Sequence, residues 1–327
     1  MIEQAWRKTL KGVEATFTAG WSIGEIAYAA RHPHRVAGDP FREAVAEDID
    51  KFGLYKAFPD EVQRVELRRG GWAALPNPYE RVGQGGGDKI VAQLRGGQPR
   101  HRRAIVVCHC YGLPFPTWME RLFGLHRLEG FDVFYNIMNH HYRGSFGFWP
   151  GFGLASPQMS RMIENVRSAF TGLRSLVRSL EHTFGYDEVI LLGYSIGGHI
   201  SMHVANSHPV SRLALYCPVT SLRATATELG LMPLASPFVD RALGRLQRDF
   251  DFADLDVLDP LQHDLKPPVD DLLFILQTHD AMVPTRQSDA LRRRYPDVRC
   301  HEYPGTHAFP VEQRAMQRTL HAWLTRA

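Results

Sequence analysis

The stretch that most constrains this chain is residues 188–206, E-V-I-L-L-G-Y-S-I-G-G-H-I-S-M-H-V-A-N. Val189, Ile190, Leu191 and Leu192 form a short continuous apolar run, the pattern of a parallel strand buried on both faces. Gly193-Tyr194-Ser195-Ile196-Gly197 then fits G-x-S-x-G, with Gly198 and a helical pattern behind it. Strand, tight turn and helix in that order are the context of a nucleophile elbow. Such a turn holds its serine in strained backbone geometry, and the flanking glycines remove side chains that would clash there. Ser195 Oγ is then lifted above the sheet edge, and the Ile196 N–H is aimed where an oxyanion would form. The plain alternative is a glycine-rich strand-to-helix turn around an ordinary serine.

Composition narrows the setting. With 327 residues and 44% hydrophobic content, the chain can bury the core of one large domain plus an extension or insertion. A formal charge of +3, with no lysine/arginine block, gives no sign of a nucleic-acid partner. The longest mildly apolar stretch, 19–30, carries Glu25 and is too short to span a bilayer. The first residues lack the apolar run of a signal peptide. Cys108, Cys110, Cys217 and Cys300 are too few for a disulfide scaffold in a chain this long. The expectation is a soluble cytoplasmic protein.

Residues 1–60 read as a helical extension outside the sheet, with Trp6, Leu10, Val13 and Phe17 on one face and a weaker pattern over 40–58. Strands are expected over 62–67 and over 89–94, the second after the turn Gly85-Gly86-Gly87-Asp88. Further strands are expected over 104–108, 131–138, 213–216, 272–277 and 298–303. Helices alternate with them, over 117–128 and then from Ser156-Pro157, a serine cap with proline at the first helical position. Met159, Met162, Ile163, Val166, Phe170, Leu173, Val177 and Leu180 keep helical spacing across that second helix. Alternation of this kind implies an α/β fold, a mainly parallel sheet covered on both faces. Between about 221 and 266 the alternation breaks into helical pieces and an acidic stretch, read as a cap insertion at the active-site edge or, more plainly, a surface excursion.

A serine hydroxyl is a weak nucleophile at neutral pH and needs a base, and the base needs a group to hold its tautomer. Thr278-His279-Asp280-Ala281-Met282 follows the 272–277 strand, and Pro304-Gly305-Thr306-His307-Ala308 follows the last. The order serine, aspartate, histidine, with acid and base each just past a strand, resembles the α/β-hydrolase superfamily. The resemblance covers about residues 62–327. It implies Ser195 as nucleophile, His307 as general base and Asp280 as its orienting partner. His279 adjoins the acid but is less suited as base. Asp270, Asp271 and Asp289 lie before the strand or in the next helix, where the acid does not belong.

In the superfamily the second oxyanion donor comes from an H-G-type loop after the strand at 104–108. Here that loop reads His109-Cys110-Tyr111-Gly112, with Cys110 where glycine is usual. The Tyr111 N–H is the candidate donor and the Cys110 N–H the alternative. Strand alternation would put Cys108 and Cys110 on one face, yet no further ligand cluster has zinc spacing, so no metal is expected. The loop N-H-H-Y-R-G-S offers Arg143 for a substrate carboxylate or phosphate, or for a structural salt bridge. Phe148 and Trp149, with Phe238 of the cap, suggest an apolar acyl pocket. The expected activity is cofactor-free cleavage of a carboxylic ester or thioester of a small-molecule acyl substrate through an acyl-enzyme. Acyl transfer and lactone, amide or C–C bond hydrolysis use the same triad. The rival of another class is a non-catalytic ligand-binding protein, and the oligomeric state is not legible.

Overall fold

Short apolar runs bounded by turn residues become strands because burial on both faces leaves no polar stripe for water. The computed structural model describes residues 41–82, 88–111, 115–139, 141, 159–229 and 252–326. Eight strands of these residues share one sheet: β1 (Trp72–Pro76), β2 (Lys89–Leu94), β3 (Arg103–Cys108), β4 (Asp132–Ile137), β5 (Glu188–Tyr194), β6 (Arg212–Tyr216), β7 (Leu272–Gln277) and β8 (Arg299–Tyr303). Their order is β1-β2-β4-β3-β5-β6-β7-β8. From β4 to β8 neighbouring strands are parallel, while β1 and β2 form an antiparallel pair on the β4 edge.

Seven α-helices accompany the sheet among the described residues: α1 (Arg42–Phe52), α2 (Pro116–Phe123), α3 (Met159–Phe184), α4 (Ile196–Ser207), α5 (Leu222–Leu229), α6 (Thr285–Arg294) and α7 (Gln313–Thr325). One sheet face packs Phe170, Leu173 and Leu176 of α3 and Ile200 and Val204 of α4 against Val106, Leu191 and Leu213. The other packs Met119 and Phe123 of α2 and Met316, Leu320 and Trp323 of α7 against Val107, Leu192 and Ile275. No described helix is long and apolar enough to cross a membrane.

Two expectations need correction. Residues 62–67 form no strand, although Val65 and Leu67 alternate as on one strand face. Their backbone bonds elsewhere: Gln63 N donates to Ser179 Oγ (2.9 Å) and Val65 N to Thr183 Oγ1 (3.0 Å), both on α3. The edge strand is instead 72–76, ended by Pro76, whose missing N–H an edge tolerates. The expected helix over 117–128 also stops early, because Gly124 adopts φ 66° and closes α2 in the left-handed conformation. A 3-10 turn over Leu125–Arg127 continues from it.

Ion pairs bind the segment before β1 onto α3. Arg174 forks onto Glu61, with one contact at 3.1 Å, and Arg178 reaches the same carboxylate at 2.8 Å. Arg167, buried on α3, meets Asp48 of α1 at 2.9 Å. On β6, Arg212 donates to the carbonyls of Trp323 (3.0 Å) and Leu324 (3.3 Å), placing a cation at the C-terminal end of α7 where the helix dipole favours one.

Candidate active site

The chain crosses from β4 through α3 to β5, on the far side of β3, so the strand order reverses between β3 and β5. Open α/β sheets place ligands at the carboxyl ends of the strands beside such a switch point. The register pairs Cys108 of β3 with Gly193 of β5. The segments that follow, His109-Cys110-Tyr111 and Tyr194-Ser195-Ile196, therefore leave the sheet side by side.

Ser195 has φ 57° and ψ −120°, a left-handed value that an L-residue adopts only under constraint. The constraint is visible in its backbone. Ser195 N donates to Tyr216 O (3.0 Å), and Ser195 O accepts from Val219 N and His199 N (both 3.1 Å). Gly197 explains the glycine beyond the serine, since a Cβ there would overlap the carbonyl oxygens of Cys108 and His109. Ile196 opens α4, so its N–H belongs to the first turn, where N–H groups have no intrahelical acceptor.

Asp280 and His307 come from loops 27 residues apart and meet at 2.7 Å, Asp280 Oδ2 to His307 Nδ1. Their side chains are only 7% and 3% exposed, so solvent screens the pair little. The other carboxylate oxygen, Oδ1, accepts from Met282 N (2.9 Å) and Val283 N (2.8 Å). Those bonds fix the carboxylate, which in turn fixes which imidazole nitrogen carries the proton: Nδ1–H donates to Asp280 and leaves Nε2 as the basic atom. Tyr194, next to the serine, donates its hydroxyl to the His307 carbonyl (3.0 Å), and the two rings lie 5.1 Å apart. His307 is thus tied both to Asp280 and to the residue beside Ser195.

The competing groups have other partners. Asp271 pairs with Arg212 and Arg326, and Asp289 sits on α6 near Arg292. His279 donates its backbone N–H to Gly305 O at 3.0 Å. His109 is fully buried, with Nδ1 2.6 Å from Cys110 O and Nε2 3.1 Å from Met138 N. A ring nitrogen facing an N–H accepts, so the proton sits on Nδ1 and the ring ties the end of β3 to the end of β4. Burial pushes its pKa down to about 4.

Tyr111 is half-buried beside the elbow, its ring 5.4 Å from that of His141. Cys108 and Cys110 do not share a face: Cys108 packs into one core and Cys110 into the opposite one. Strand alternation ends with β3 at Cys108, and the turn through His109 reverses the next side chain. Arg143, Phe148, Trp149 and Phe238 lie outside the described residues, as does the middle of the 221–266 insertion. Its described ends join through Arg223 and Asp256 (2.6 Å), with Leu255 and Leu258 in the core. One neighbour of the pair has no counterpart in the sequence reading. Cys217, just past β6, brings its sulfur within 4.8 Å of ligand atoms of both Asp280 and His307.

A strained serine at a strand-to-helix turn, on a mostly parallel eight-stranded sheet wrapped by helices, defines an α/β hydrolase architecture. A family model described as alpha/beta hydrolase fold matches residues 103–297, more than half of the chain, and the protein belongs to that family of hydrolases. Solved structures agree on the fold. An esterase from Pyrococcus furiosus aligns with a TM-score of 0.54 at 14% identity, over 73% of this chain and 87% of its own. The acylaminoacyl peptidase of Pyrococcus horikoshii aligns at 0.53 and 16% identity, over 81% of this chain but 42% of its own. The peroxisomal alpha-beta-hydrolase Lpx1 of Saccharomyces cerevisiae aligns at 0.51 and 12% identity, over 81% and 91%. Likeness at these identities speaks to fold alone. A comparison with curated protein sequences yields no significant match.

Proposed function

We propose that the protein is a serine hydrolase that cleaves a carboxylic ester or thioester through an acyl-enzyme. Ser195 is the nucleophile, His307 the base that takes its proton and returns it to the leaving group, and Asp280 the group that holds the imidazole tautomer. The buried 2.7 Å contact between Asp280 and His307, tied through Tyr194 to the strained Ser195, carries this reading. The N–H groups of Ile196 and Tyr111 stabilise the oxyanion of the tetrahedral intermediate. An apolar acyl group is the fitting substrate for the aromatic residues Phe148, Trp149 and Phe238, with Arg143 binding an anionic substituent. The segment 221–266 is the cap, 1–60 the extension, and no cofactor takes part.

The test is a panel of acyl esters and thioesters of graded chain length, run on the wild type and on Ser195→Ala. Wild type releases the leaving group in a burst, and a fluorophosphonate labels Ser195 alone. Ser195→Ala loses about 10⁴-fold or more in turnover, since triad members act as a unit. Turnover retained by Ser195→Ala, or label on another serine, would refute the assignment.

A further inference from the structure

Among the described residues, two that are not glycine have positive φ: Ser195 at 57° and Cys217 at 43°. They are neighbours across the sheet edge, because Ser195 N bonds the carbonyl of Tyr216, the residue before Cys217. Cys217 is buried, and its own N–H is held by Ile275 O at 2.9 Å on β7. Its sulfur, a carboxylate oxygen of Asp280 and a ring nitrogen of His307 all lie within 4.8 Å of one another. One thiol, one imidazole and one carboxylate thus converge in a buried corner.

We propose that Cys217, Asp280 and His307 form an inhibitory site for a borderline-soft divalent cation, with zinc the best match. Zinc takes sulfur, nitrogen and oxygen ligands at about 2.0–2.3 Å in tetrahedral geometry, which sets neighbouring donors roughly 3.3–3.6 Å apart. Side-chain rotations bring donors already inside 4.8 Å to that spacing. A thiolate and an imidazole select against magnesium and calcium, which want oxygen.

The cation takes the place of the proton between His307 Nδ1 and Asp280. Cys217 releases its thiol proton to solvent, and the imidazole proton moves from Nδ1 to Nε2. His307 then presents an N–H where the reaction needs a lone pair, so hydrolysis stops without damage to the chain. This inhibition rests on His307 acting as the base; the binding of the cation does not.

The experiment reads binding and activity separately. Apo protein is titrated with cadmium, followed by the ultraviolet thiolate-to-cadmium charge-transfer band, and with zinc by calorimetry; hydrolysis is followed against zinc concentration and after chelator. The expected result is one cation per chain, a charge-transfer band, and loss of hydrolysis that chelator reverses. In Cys217→Ser the band disappears, and zinc inhibition, relative to that variant's own uninhibited rate, weakens by more than the roughly 10- to 100-fold typical of losing an outer-shell partner. Cys300→Ser, which alters a thiol outside the cluster, keeps both. In wild type, zinc protects Cys217 from alkylation by a maleimide, a readout that stands even if Cys217→Ser does not fold. An unchanged band or unchanged inhibition in Cys217→Ser, or no protection, overturns the proposal. Ser195→Ala separates the two readings: it binds cadmium as wild type does, so turnover surviving in it sinks the serine mechanism and leaves the metal site standing.

Discussion

At the scale of single residues, the site depends on close approach and on one fixed carboxylate. Gly197 packs against the carbonyls that end β3; backbone there has no flexible end to swing away. Gly197→Ala is expected to destabilise the fold by about 1–3 kcal/mol, the usual range for overpacking, read as a lower denaturant midpoint. Asp280 holds one oxygen on two backbone N–H groups and gives the other to His307. Asp280→Asn keeps the shape but presents the wrong donor to Nδ1, so kcat should fall by about 10⁴-fold with little change in melting temperature. A variant that hydrolyses at near wild-type rate would mean that another acid serves His307.

At the scale of elements, α4 carries an internal polar strip behind the elbow. His199 Nδ1 lies 3.0 Å from Val219 O, and His203 Nε2 lies 3.3 Å from His199 Nε2 and 3.1 Å from Leu258 O. Tyr55 OH, 2.9 Å from His203 Nδ1, completes the chain. An arrangement with both rings neutral satisfies every contact: His199 donates through Nδ1, His203 through Nε2, and Tyr55 through its hydroxyl. Burial pushes the pKa of His199 down to about 4 and that of His203 well below its usual value. With His109, also about 4, three histidines stay neutral in the fold yet protonate near pH 6.5 once unfolded. The unfolded state therefore binds more protons, so stability holds above about pH 6.5 and is lost as pH falls toward 4. The slope is on the order of 1.4 kcal/mol per pH unit for each histidine. Urea unfolding at pH 7, 6 and 5 measures it. Replacing His203 with Gln should flatten the pH dependence, and a slope unchanged by that replacement would mean the acid sensitivity lies elsewhere.

At the scale of the whole molecule, the segment before the sheet is held to α3 by charge as well as by apolar contact. Glu61, buried at 1% exposure, receives both Arg174 and Arg178. Glu61→Ala strands the buried guanidinium of Arg174, at an expected cost of about 3–5 kcal/mol. Replacing Glu61 and Arg174 together by apolar residues should recover part of it, measured as unfolding free energy in a double-mutant cycle. Equal losses in the single and double variants would mean the pair is not the anchor.

Much of the architecture is legible in order along the chain because its causes are local. Continuous apolar runs mark β3 to β7 within a residue or two, the spacing from Met159 to Leu180 marks α3, and G-Y-S-I-G marks the strained turn, since each signal resides in neighbouring residues. The segment 62–67 shows the limit: Val65 and Leu67 alternate as in a strand, but the partners of the Gln63 and Val65 N–H groups are side chains on α3, more than a hundred residues away. The edge strand 72–76 is short and holds a proline, so pairing with β2 defines it rather than its own pattern. The loops bearing Asp280 and His307 are nameable from their places after β7 and β8; their 2.7 Å approach exists only once those strands pair. The opposed faces of Cys108 and Cys110, the histidine strip of α4 and the convergence of Cys217 on Asp280 and His307 were decided by tertiary structure alone. Each joins residues whose separation along the chain carries no distance information until the sheet brings their strand ends together.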